Sequence, residues 1–202
     1  FNVSATCSYS ATQDRVGANK AWTEKAKTLK AEGNDTESIA LKKQDWDCID
    51  AKRITIPDSF HFVIETVGPF PNMSLVEKAC AIMVAKVNKF RDDIQSVANM
   101  VTTSTTTIDN CFDIKLVGEG YTLGKVIEYI MYAKYYDKPE KSSEKILTYC
   151  GFRKPHPHID ESIIRLGFKN TIEPSEVIAY LVGAAQDANT IYEKIQAEFT
   201  SE

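Results

Sequence analysis

The chain has 202 residues, 43% of them hydrophobic and 26% charged, with a formal net charge of −4 and a pI near 5.5. This is the composition of an ordinary globular chain and excludes a disordered or fibrous one. The acidic balance argues against holding nucleic acid by phosphate neutralisation, so no direct nucleic-acid readout is expected.

The five cysteines (Cys7, Cys48, Cys80, Cys111 and Cys150) are odd in number, widely spread and free of any C-x-x-C spacing. Neither a zinc site nor a disulfide framework is suggested, and a reducing, intracellular compartment is expected. Asn2, Asn34 and Asn72 open N-x-S/T triplets. These carry little weight without a signal peptide or a membrane-length apolar run, and no membrane partner is expected. Phe1 opens the chain in mid-pattern, as expected for a piece of a longer polypeptide.

Taken in order, Phe1–Ser10 alternates apolar and polar residues, which predicts a half-buried strand. Gly17 to Lys43 is polar and helix-prone, broken at Gly33-Asn34-Asp35, and reads as a solvated insertion packed through Trp22 and Trp46. Ser59 to Val67 predicts the next strand, with Phe60, Phe62 and Ile64 on one face. After Gly68-Pro-Phe-Pro-Asn72, the Ser74/Glu77 spacing predicts a capping box. The helix beyond it carries an apolar stripe through Leu75, Ala79, Ile82, Met83, Val87, Phe90, Ile94 and Val97.

Met100 to Thr107 has no hydrophobic period and reads as a linker between two units. The second unit opens with a strand over Cys111 to Val117. A helix from Tyr121 to about Tyr135 follows, with Leu123, Val126, Ile127, Ile130 and Met131 on one side. Asp137 to Lys145 is charged and loop-like. Two strands then fill Tyr149–Phe168 around a Pro-His-Pro corner, where Pro155 and Pro157 hold His156 extended. Pro174 suits the first position of a closing helix whose stripe includes Leu181, Ala185, Ala188 and Ile191. Each unit closes with a strand, a proline turn and a long amphipathic helix. The expected class is α+β, built as an intramolecular pseudo-dimer.

Chemistry is sparse. His156 and His158 lack clustered partners for a tetrahedral metal site, so no metal and no cofactor are expected. Cys150 with His156 could form a thiol centre, against the commoner packed core cysteine. No phosphate loop, nucleophile elbow or H-E-x-x-H motif occurs, so no catalytic residue is assigned. An interaction or assembly role leads by elimination. A stand-alone α+β enzyme using Cys150 and His156, or a self-dimerising scaffold, are the alternatives.

The combination Gly120-Tyr-Thr-Leu-Gly124, Tyr149-Cys-Gly-Phe-Arg-Lys-Pro-His-Pro157, Ile163-Ile-Arg-Leu and Pro174-Ser-Glu resembles the eleventh subunit of eukaryotic RNA polymerase II and the archaeal L subunit. Phe60-His-Phe-Val-Ile-Glu-Thr-Val-Gly-Pro-Phe-Pro71 and the helix after it are similar to the third subunit and archaeal D. The family pairs these as a heterodimer related to the bacterial α dimer. Their fusion in one chain resembles large cytoplasmic DNA viruses such as African swine fever virus. Lys125 stands where the family commonly has Asn, and no Cys cluster matches the metal centres of some D-like subunits.

The resemblance implies two bacterial-α-like dimerisation units, each a small antiparallel sheet with a long helix. Residues 1–53 would end a D-like inserted domain, 54–100 would be the D-like half, 101–109 the linker and 110–202 the L-like half. The implied role is a non-catalytic assembly platform of a multisubunit DNA-directed RNA polymerase. Its partners would be the two largest subunits, small zinc-binding subunits and an upstream D-like segment of the same polypeptide. Its location would be intracellular, or host cytoplasm and virion if viral. The implied interface residues are Phe62, Ile64, Ile82, Phe90, Tyr121, Leu123, Val126, Ile127, Ile130, Phe152, His156, Pro157, Leu181, Ala185, Ala188 and Ile191.

Overall fold

The computed structural model describes residues 2–97, 99–137 and 145–200. Most of the charged run read between Asp137 and Lys145 lies outside these residues, as does Phe1. The fold is α+β and divides into two compact units, Phe1–Asn72 and Met73–Glu202.

The first unit pairs strand β1 (Ser4–Gln13) antiparallel with β2 (Thr55–Thr66) as a two-stranded ribbon. Between them lie helices α1 (Arg15–Ala31) and α2 (Thr36–Cys48) and a 3-10 turn at Ala51–Arg53. Both helices start on an aspartate. Asp14 accepts from the Gly17 N–H at 2.8 Å, and Asp35 accepts from the Ser38 N–H at 2.8 Å, each satisfying an orphan donor of the first turn. The expected tryptophan packing is present: the Trp22 and Trp46 rings lie 5.8 Å apart. Lys25 sits 4.8 Å from the Trp46 ring and Lys43 5.3 Å from the Trp22 ring, so cation–π contacts cover the pair.

The second unit holds the core. Helix α3 (Asn72–Ser96) leads into a four-stranded antiparallel sheet of order β3-β4-β6-β5. Its strands are β3 (Val101–Thr103), β4 (Cys111–Val117), β5 (Leu147–Arg153) and β6 (Glu161–Phe168). Helix α4 (Tyr121–Tyr132) runs on into a π-type turn at Ala133–Asp137, and α5 (Pro174–Thr200) closes the chain. Alternation sends Phe112, Ile114 and Leu116 of β4 and Ile164, Leu166 and Phe168 of β6 into one cluster. Onto it pack Val87, Phe90 and Ile94 of α3, Leu123, Ile127 and Met131 of α4, and Val177, Leu181 and Ala185 of α5. Lys86 of α3 ties itself to the turn before α4 through both Glu119 carboxylate oxygens, at 2.7 and 2.9 Å.

Several expectations are corrected. Residues 1–53 are no separate piece, because β1 pairs with β2 and the Asp14 N–H donates to the Ile54 carbonyl at 2.9 Å. The stretch 101–109 begins with an edge strand: β-branched Val101, Thr102 and Thr103 pair with Ile114, Asp113 and Phe112. The chain divides after Asn72 instead, and α3 belongs with the sheet and α5. The Ser74/Glu77 capping box does not form, since α3 already begins at Asn72. The Asn72 side chain instead accepts from the Thr66 N–H at 2.8 Å and closes the proline turn.

Outside the core, β4 and β6 face each other through charge. Asp113 and Arg165 are directly paired across the strands and form a bidentate ion pair at 2.6 and 2.7 Å. The hydrogen bond from Arg165 holds the Asp113 carboxyl below its usual value of 3.8, aided by the Arg165 charge and by Ser104 and Arg153, against an opposing effect of burial. A carboxyl with a depressed folded pKa contributes its stability above the unfolded value and loses it as pH falls through the folded one. Asp113→Asn should therefore cost about 1–2 kcal/mol near neutral pH, and that loss should shrink as pH falls below 3.8 through the depressed folded value. Urea midpoints measured from pH 7 down to pH 2.5 check this: the wild-type and variant curves should converge at the acid end.

Candidate functional site

The sixteen interface residues implied by the resemblance separate by burial. Phe90, Leu123, Ile127, Ile130, Leu181, Ala185 and Ala188 are buried in the second unit's core, with Val126 and Phe152 packed at its margin. They join helices to sheet within this chain and offer no surface to a partner. They are buried because α3, α4 and α5 all pack their apolar faces on one sheet.

The rest remain open. Ile82, Tyr121 and Ile191 are exposed in the second unit, and His156 and Pro157 at its β5–β6 corner. In the first unit Ile64 is half-buried and Phe62 is 65% exposed. Phe62 belongs to an aromatic group on the ribbon: Tyr9 lies 5.9 Å from Phe62 and 6.0 Å from Phe60, ring centre to ring centre. Tyr9 is not among the interface residues that the resemblance implies. The register Tyr9↔Phe62 places it there, and alternation in β1 was the available signal.

The α5 stripe is divided along its length. Val177, Leu181, Ala184, Ala185 and Ala188 are buried, whereas Ile191 and Ile195 are 49% and 39% exposed. Tyr121, at the start of α4, stacks edge-on against Phe152 of β5 at 5.2 Å. The Phe152 ring also lies over Gly124, so the Gly120-Tyr-Thr-Leu-Gly124 motif is a close helix–sheet contact.

Cys150 and His156 do not meet as a dyad. The Cys150 thiol donates to the Glu128 carbonyl at 3.4 Å, while Nδ1 of His156 accepts from the His158 N–H at 3.1 Å. Burial, with the nearby Glu128 charge, pushes the Cys150 thiol up to about 12, leaving almost no thiolate at neutral pH. Exposed Cys7 and Cys48 should react with iodoacetamide in the native protein, and Cys150 only on unfolding. Peptide mass spectrometry of a labelling time course reads this directly, and native labelling of Cys150 at the rate of Cys7 would contradict it.

The His156 and His158 rings lie 5.3 Å apart, but among the described residues no three His, Cys, Asp or Glu side chains group to hold a metal ion. No helix among the described residues is long and apolar enough to cross a membrane. A cleft in the second unit is floored by Phe90, Leu116 and Leu123 and rimmed by Lys86, Lys89, Lys115, Asp93 and Glu119. Each rim lysine already has a carboxylate: Lys86 has Glu119, Lys89 has Asp93 and Lys115 has Glu161. The cleft therefore presents no uncommitted cation for an anionic ligand.

Compared with known proteins, the chain matches no family model, and no curated protein matches it.

Proposed function

We propose that this chain is a non-catalytic assembly platform of a multisubunit DNA-directed RNA polymerase, holding the two large catalytic subunits together. The observation that carries the proposal is the divided stripe of α5. The helix spends its first half on its own core and keeps large aliphatic residues, Ile191 and Ile195, exposed beyond it. Ile191 and Ile195 stand one helical turn apart, so together they offer an apolar patch that a partner can cover. The motif order around Gly124, Phe152 and the Pro-His-Pro corner supports the same reading through its resemblance to the L-like subunits. Small zinc-binding subunits and an upstream D-like segment complete the proposed set of partners. If the polymerase is viral, the proposed location is host cytoplasm and virion.

The test separates surface from core. Ile191→Glu should leave the thermal melt unchanged and abolish co-purification of the large subunits. Leu123→Asp should lose both the fold and the partners. Full co-purification by Ile191→Glu would remove the exposed end of α5 as the support for this proposal.

A further inference from the structure

We propose that Asn88 and Asn189 form a register pin that fixes where α5 lies on α3. The proposal rests on the helix contact alone and not on the polymerase reading. Asn189 is only 8% exposed and follows Ala188, which is fully buried; Asn88 follows fully buried Val87 and is itself half-buried. The Asn189 Nδ2 amide donates to Oδ1 of Asn88 at 2.8 Å, across 101 residues of sequence. The buried Oδ1 of Asn189 has no partner, one of two such side-chain atoms among the described residues.

A buried acceptor without a donor is costly, and two leucines would serve stability better. What the pair supplies is discrimination. The buried turns of α5 just before it carry small residues, with Ala184, Ala185 and Ala188 all fully buried. Alanines offer few protrusions to resist a slide of α5 along the elements it packs on. A slide of one turn, about 5.4 Å, would part the two amides and leave the buried Asn189 amide with no partner at all. The pair thus acts as a buried asparagine does in a coiled coil, setting register at some expense of stability.

The experiment uses the whole chain with Asn88→Leu, Asn189→Leu and both together, measured by urea unfolding and by amide NMR. Asn88→Leu orphans the buried Asn189 amide and should lower the folding equilibrium constant about tenfold, while Asn189→Leu leaves half-buried Asn88 within reach of water and should lower it by less. The double variant should recover to within about threefold of wild type, or exceed it. Its α3 and α5 amides should nonetheless give doubled resonances, from helices in more than one register. Three results would overturn the proposal: singles without loss, a double variant whose loss is the product of the singles, or a double variant with a single set of resonances.

Discussion

Leu181→Ala should lower stability by about 2–5 kcal/mol, whereas Ile191→Ala should leave it within about 0.5 kcal/mol. Both residues lie on the apolar stripe of α5 and are indistinguishable by periodicity. Leu181 is fully buried among the second unit's core residues, and truncating it removes apolar burial and leaves a cavity ringed by sheet and helix side chains. Ile191 is half exposed, so its truncation in the isolated chain returns little surface to water. Urea denaturation of the two variants tests the division of the helix. Equal losses would mean that the far end of α5 is part of the same core.

Gly124→Ala should destabilise by about 1–3 kcal/mol, although alanine is the better helix former by about 1 kcal/mol. A methyl group at this position would stand 2.5 Å from Cδ2 and 2.9 Å from Cζ of Phe152. Real carbon pairs sit near 3.5–4.0 Å, so the ring must leave or α4 must lift from β5. The ring also packs edge-on against Tyr121, and moving it gives up that contact. Phe152→Ala in the same chain should reverse the sign and make Gly124→Ala stabilising. A thermal-melt double-mutant cycle reads both outcomes. Additive effects would show that Gly124 and Phe152 are energetically independent.

The same pair illustrates what was legible in the sequence. The strand at Cys111–Val117, the helix beginning at Tyr121 and the helix opening on Pro174 follow from period and punctuation, and the structure has all three with those starts. The Trp22–Trp46 packing of the polar helices was legible because little else there could bury. Pairing was not. Val101–Thr103 lacks hydrophobic alternation and becomes a strand only because β4 offers a free edge. The placement of α3 in the second unit depends on contacts distant in sequence, from Lys86 with Glu119 to Asn88 with Asn189. The separation of Leu181 from Ile191, and of Phe90 from Ile82, is likewise set by which turns of a helix reach the sheet. Periodicity marks a face but does not mark where its cover ends.

The most direct test of the platform role is affinity purification of the tagged full-length protein from cells that make it, with quantitative mass spectrometry of the eluate. The account predicts two very large subunits in equal amounts with the tagged chain, and DNA-dependent nucleotide incorporation by the eluate. Recovery of the chain alone, as a monomer or a clean homodimer, would contradict it.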